Sequence, residues 1–263
     1  MRNALLAEHR KLVSTRLWWV LLIGMAGYLA FIGAVMAFTF TVTADGAEAP
    51  LTGVDAATAT YSLVNAIGYV FPLVVGSLSV TSEFRHRTIT QTLLVEPRRT
   101  VVVVAKLLAT VPVGLALGLV GVLALVATSA PLLSWRGDGA FLTDPEVIAV
   151  LVLGVVTTAV WAVVGAALGT LLTNQVAVVV VILAFTQLVE PIARTALGAF
   201  DAVAGVSAYL PGAAADALIG ASLFGEIAGV DLLPRWAGAL VLLGYGAVFA
   251  LLGRLTTFRR DIG

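Results

Sequence analysis

The sequence contains no cysteine, and only two of its residues are lysine, Lys11 and Lys106. Without cysteine there is no disulfide scaffold, no cysteine–zinc site and no thiol nucleophile. Charge of either sign is scarce: 11% of the 263 residues are Asp, Glu, Lys or Arg, where a soluble domain carries about 25%. Lys+Arg and Asp+Glu both number 15, so the net charge is zero and no basic surface for nucleic acid is implied. Sixty per cent of the residues are hydrophobic and the mean hydropathy is +1.05. That is more apolar surface than one globular core of this length can bury, and the opposite of a disordered composition. The class is an all-α polytopic membrane protein.

Catalytic motifs are missing too. There is no G-x-x-x-x-G-K-[ST] phosphate loop, no H-E-x-x-H zinc helix and no G-x-S-x-G elbow. The two histidines, His9 and His86, fall in basic segments and are expected to be solvated surface residues rather than metal ligands. The chain is expected to be non-catalytic and to hold no cofactor or metal.

A membrane-crossing helix needs about 20 mostly apolar residues. Such runs lie at 17–40, 59–80, 101–127, 146–172, 176–189 and 236–254, giving six spans in a single transmembrane domain over 1–263. The first run exceeds the about 7–15 apolar residues of a cleaved signal and is expected to be a retained span. If the N-terminus, the 81–106 segment and the C-terminus share one side, that side collects Arg2, Arg10, Lys11, Arg16, Arg85, Arg87, Arg98, Arg99, Lys106, Arg254, Arg259 and Arg260. Only Arg136, Arg194 and Arg235 are left opposite. The positive-inside rule then puts both termini in the cytoplasm. Few lysines beside abundant Ala, Val, Gly and Arg point to a GC-rich bacterial genome, hence to the bacterial plasma membrane.

The outer connections run 41–58, 128–145 and 190–235. The third carries Pro191, Pro211 and Pro234 yet stays apolar over 192–209 and 213–230. It is too apolar for a solvated loop and too broken for a span, so re-entrant half-helices before the last span are expected. The fifth span is expected to stop near Val189, with Pro191 opening a new helix. Gln187, Glu190 and Arg194 share a face at helical spacing and form a candidate gate or structural cap. In span two Tyr61, Asn65, Tyr69, Pro72, Gly76 and Ser79 also share one face, either lining a substrate path or packing. The pairs Gly114/Gly118 and Gly165/Gly169 have the spacing that permits close helix approach, expected within one protomer. No internal repeat supports an inverted-repeat carrier.

On the inner side, residues 1–16 (MRNALLAEHRKLVSTR) pattern as an amphipathic helix, apolar at Leu5, Leu6, Leu12 and Val13, polar at Arg2, Glu8, Arg10, Lys11 and Arg16. Such a helix lies along anionic headgroups. Residues 82–106 open with Glu83, Arg85 and Arg87 and continue as a short helix, Thr88–Val95, stopped by Pro97. Phe84, Ile89, Leu93 and Leu94 are costly to expose unless they meet membrane or a partner, and a short flanked helix suits docking into a groove. A surface ion pair between Glu83 and Arg87 is the alternative use of that glutamate.

The run Glu83, Thr88, Leu93–Leu94, Pro97, Arg98 or Arg99 and Lys106 resembles the "E…T…LL…P…R…K" run of ABC-2 type permeases. The element Glu8, Lys11, Leu12, the Leu210–Pro211 step and the C-terminal Phe258–Gly263 are similar to other parts of that family. The resemblance implies six spans, an interface helix at 1–16, a coupling helix within 82–97 and re-entrant helices in 190–235. It also implies a second permease protomer, in a homo- or heterodimer, and two copies of a separate cytoplasmic ATPase that holds the ATP and Mg. Coupling would then fall to Glu83, Phe84, Arg85, Arg87, Thr88, Leu93 and Leu94, and the path or gate to Tyr61, Asn65, Tyr69, Gln187, Glu190 and Arg194. An ATP-independent carrier or a membrane scaffold is the rival; a coupled carrier should place acidic residues in mid-span, where only Glu190 comes close.

Overall fold

A computed structural model describes residues 1–41, 51–198, 200, 203–222 and 232–258. Among these every regular element is helical, and six helices are long and apolar enough to cross a membrane: Leu17–Thr41, Gly53–Arg85, Arg99–Trp135, Pro145–Leu171, Gln175–Gly198 and Arg235–Thr256. Helix α1 (Arg2–Ser14) precedes the first of them, α2 (Leu17–Thr41). The second is built from α3 (Gly53–Tyr61), α4 (Leu63–Ala66) and α5 (Val70–Arg85). The short α6 (Ile89–Val95) leads into α7 (Arg99–Arg136), and α8 (Pro145–Leu171) is the fourth span. The fifth joins α9 (Gln175–Ala184), a π-helical segment Phe185–Val189 and α10 (Glu190–Gly198). Two short helices, α11 (Ala204–Ser207) and α12 (Pro211–Ile219), come before α13 (Arg235–Thr256).

Local sequence explains several ends. Asp144 accepts from the Glu146 N–H with Pro145 in the first turn, and Asn174 accepts from the N–H groups of Val176 and Ala177. Both are side-chain caps of free helical N–H groups. Helix α12 starts at Pro211 and stops at Gly220, whose φ of +86° glycine adopts without strain.

Helix α7 packs along α2 on one side and α8 on the other, and α8 packs in turn along α5 and α13. Glycine permits two of these crossings. A Cβ on Gly118 would lie 2.9 Å from the Val155 carbonyl of α8, and one on Gly169 would lie 2.6 Å from the Ser77 carbonyl of α5. Both G-x-x-x-G pairs therefore sit at contacts within this chain. At about 1.5 Å per residue, the 38 residues of α7 outrun a hydrocarbon core of about 30 Å, so α7 reaches well beyond it.

One end of the bundle gathers α1, α6, the start of α7 and the end of α13: Ile89, Val102, Val103 and Phe258 form a buried cluster with Phe84 and Leu93 against it. The Phe84 and Phe258 rings meet edge-on at 5.7 Å. The opposite end joins the segments around 53 and 138–140. There the Gly53 N–H donates to Asp138 (2.9 Å) and the Tyr61 hydroxyl to the Ala140 carbonyl (3.1 Å). Of the C-terminal element read as Phe258–Gly263, only Phe258 is among the described residues, and residues 223–230 of the 213–230 stretch also lie outside them.

Two expectations need correction. The fifth span does not stop near Val189; it continues through Phe185–Val189 and Pro191 to Gly198, so the region proposed as re-entrant cannot begin at 190. Proline in a regular helix strikes the carbonyl four residues back, here Gln187. The π turn has already widened the ladder at that point, which accommodates the ring without ending the helix. Span two is longer than 59–80 but not continuous, with breaks at Ser62 and Ile67–Tyr69. The Gly68 N–H reaches back to Leu63 across a wide turn, and a side chain at Gly68 would strike the Val64 carbonyl.

Candidate functional site

Two buried polar clusters stand out in this apolar bundle. The first lies where α1, α5, α6 and α7 meet. Lys106 Nζ donates to Glu8 Oε2 at 2.6 Å and pairs with Glu83 Oε1 at 2.7 Å. Lys11 Nζ bridges the same two carboxylates, at 2.6 Å to Glu8 and 3.0 Å to Glu83, and donates to the Thr92 hydroxyl at 2.9 Å. Thr92 donates in turn to Glu83 Oε2 at 3.3 Å. Both lysines of the chain and two glutamates thus make a neutral square that ties α1, α5 and α7 together, and Thr92 attaches α6 to it. The Lys106 side chain is 1% exposed. Burial alone would pull the Lys11 ammonium down, but Glu8 and Glu83 outweigh it and hold its pKa above the ordinary value. Breaking such a pair by removing one partner typically costs about 3–5 kcal/mol.

This geometry sorts the residues read as a coupling set. Glu83 is buried in the square and pairs with Lys106 and Lys11, not with Arg87. Arg87 is exposed with φ +57°, Thr88 precedes α6, and its N–H bonds to the Glu83 carbonyl. Arg85 is exposed and donates to Gln175 at 3.0 Å. Phe84, Ile89 and Leu93 turn inward onto Val102, Val103 and Phe258. Leu94 and Val95 stay bare, at 78% and 88% exposure. Lining a cavity of about 680 Å³ beside α6 are Lys11, Glu83, Gln91 and Thr92 together with Trp18 and Leu78. Glu8, assigned to the polar face of α1 in the sequence, instead points inward with Leu12.

The second cluster joins span two, span four, span five and α12. Arg194 donates to Asp216 Oδ2 at 2.7 Å and to Glu190 Oε1 at 3.3 Å. Asn65 donates to Asp216 Oδ1 at 2.5 Å and accepts from the Trp161 indole at 2.9 Å. Ser222 donates to Asp216 Oδ2 at 2.7 Å. The Gly212 N–H, in the first turn of α12, donates to Glu190 Oε1 at 2.5 Å. Glu190 therefore caps a helix, but the helix is α12 rather than the one Pro191 opens. Tyr69 donates to the Thr186 carbonyl at 3.2 Å and to Glu190 Oε2 at 3.4 Å, and its ring meets that of Trp161 at 4.7 Å with a 40° tilt.

Of the residues read as path or gate, Asn65, Tyr69, Glu190 and Arg194 converge here. Tyr61 does not: it is fully buried and serves the far end of the bundle through Ala140. Gln187 is exposed and donates to the Thr186 hydroxyl at 3.3 Å. Thr186, whose carbonyl accepts from Tyr69, lines one small cavity together with Gln187 and Glu190. Asp216, Trp161 and Thr186 were missed. A lone carboxylate in the apolar stretch Pro211–Gly220 was the available signal for Asp216. Among the described residues no group of three or more His, Cys, Asp or Glu can hold a metal ion.

No protein-family model matches the chain, and no curated protein matches it.

Proposed function

We propose that this chain is the membrane-spanning permease subunit of an ATP-driven exporter, itself non-catalytic and paired with a second permease protomer. Two copies of a separate cytoplasmic ATPase would carry ATP and Mg. The observation that carries the reading is the bare end of α6. Leu94 and Val95 project from a short helix whose other apolar residues are covered by this chain. Two adjacent apolar side chains held out on a clamped helix form a natural knob for a partner groove. Through the Thr92 hydroxyl, the lysine–glutamate square beneath them joins α6 to α1, α5 and the long α7, so a push on α6 is delivered to the spans rather than absorbed locally. In this reading α1 lies along the inner headgroups, both termini are cytoplasmic in a bacterial plasma membrane, and α11 and α12 are the re-entrant helices. The test is tagged purification from native membranes: a phosphate-loop ATPase should co-purify, and Leu94→Asp should release it while the permease stays folded.

An ATP-independent carrier is favoured by one observation. Glu190, Asp216 and Arg194 form a buried charge cluster in and beside the spans, where the sequence led us to expect Glu190 alone. Uptake into proteoliposomes driven by a proton or sodium gradient, with no ATPase present, would support that reading over the first.

A further inference from the structure

One face of α5 changes chemistry along its length. Val75, Leu78, Ser79, Ser82 and Arg85 fall at helical steps of three and four, so the face runs from aliphatic through hydroxyl to cationic, and His86 follows at the helix end. These residues line the cavity of about 680 Å³ beside α6. At about 1.5 Å per residue, Val75 lies about 15 Å from Arg85 along the helix axis. Leu12, Leu17 and Trp18 extend the apolar part of the wall. Arg85 ends the second membrane-crossing helix and Leu17 begins the first. That sets the cationic end of the cavity at headgroup level and the aliphatic end in hydrocarbon.

The titratable groups in the wall sort into pairs and a remainder. Glu8, Lys11, Glu83 and Lys106 neutralise one another in the square. Glu96 is held by Arg98 through bonds of 2.8 and 3.0 Å. Arg85 and the His86 ring are left, both exposed. Arg85 donates to the neutral Gln175 side chain at 3.0 Å and, among the described residues, forms no ion pair. An inorganic anion would use only this end of the cavity, and an uncharged acyl chain only the other. A phospholipid uses both, with its phosphate on the guanidinium fork and an acyl chain against Val75, Leu78 and Leu17. Basic pockets between spans at this depth are where anionic headgroups bind. We propose that the cavity holds one anionic phospholipid, its phosphate on Arg85 and its acyl chain directed toward Val75. Which leaflet supplies the lipid follows from the orientation; the binding rests on neither the orientation nor an ATPase.

The test is native mass spectrometry of the full chain, without any ATPase, released from nanodiscs of equal phosphatidylglycerol and phosphatidylcholine with identical acyl chains. The wild-type chain should retain one phosphatidylglycerol, about fivefold in preference to phosphatidylcholine, the order expected of one basic side chain at the membrane surface. Arg85→Gln should remove that preference. Arg254→Gln, which removes an exposed cation outside the cavity, should leave it unchanged. Glycerol 3-phosphate, the headgroup without its chains, should not displace the lipid at equimolar concentration. Equal retention of the two lipids, displacement by glycerol 3-phosphate, an unchanged preference in a folded Arg85→Gln variant, or equal losses in the two variants would each overturn the site. Headgroup selectivity and the soluble competitor test the wild-type chain even if Arg85→Gln fails to fold. Because no ATPase is present, failure here leaves the docking proposal untouched, and failure of ATPase co-purification leaves the lipid site standing.

Discussion

Lys106 and Glu8, 98 residues apart in sequence, meet at 2.6 Å in the interior of the protein. The contact fixes the N-terminal helix against the third span, and Glu83 brings in the second. A lysine 1% exposed at its side chain survives there because two carboxylates surround it.

Removing that lysine should therefore be costly. Lys106→Met leaves Glu8 and Glu83 with Lys11 alone and should destabilise the chain by about 3–5 kcal/mol. Glu8→Gln combined with Lys106→Met should cost less than the sum of the two, because the residues share one network. Denaturant or thermal unfolding in detergent measures both; additive losses would show that the pair is not coupled.

Helix α6 should divide cleanly into covered and bare positions. Ile89→Ala, at 2% exposure, should cost about 2–5 kcal/mol of stability. Leu94→Asp and Val95→Asp should stay within about 0.5 kcal/mol of the parent, as surface substitutions do, yet abolish ATPase co-purification. Unfolding scans run beside the pull-down separate the two effects.

The glycine contacts give a third comparison. Gly169→Ala forces a methyl into the Ser77 backbone at 2.6 Å and should cost about 1–3 kcal/mol. Gly27→Ala, with nothing within 4 Å of its Cβ position, should be close to neutral. Equal effects at the two sites would show that α5 and α8 do not approach as closely as described.

Orientation can be read directly because the chain has no cysteine. A cysteine at Asp138 should react with an impermeant maleimide in intact cells, and one at Arg98 only after lysis. Reversed labelling would place α6 outside the cell and remove the docking proposal with it.

What the sequence revealed and what it hid follow from the range of each interaction. The helix Ile89–Val95 was legible because its charges, its apolar residues and Pro97 lie within a few turns of one another. Asn65 and Tyr69 were legible as one polar face for the same reason. The pairing of Lys106 with Glu8 was not, since nothing local distinguishes a glutamate that solvates a surface helix from one turned inward to a lysine far along the chain. Pro191 misled because its ordinary effect is to end a helix, whereas the π turn at Phe185–Val189 absorbs it and has no marker in the residues themselves. Asp216 was visible as an isolated carboxylate among alanines, but only the fold brings it to Arg194 and Asn65.

The measurement that bears most directly on the central claim is a site-specific photo-crosslink from Val95 in native membranes, analysed by mass spectrometry. A second probe at Leu123, which is 58% exposed on the apolar length of α7, serves as the membrane-facing control. The account predicts that Val95 captures a protein bearing a phosphate-loop ATPase sequence while Leu123 does not. Capture of lipid alone at Val95, or the same adducts at both positions, would contradict it.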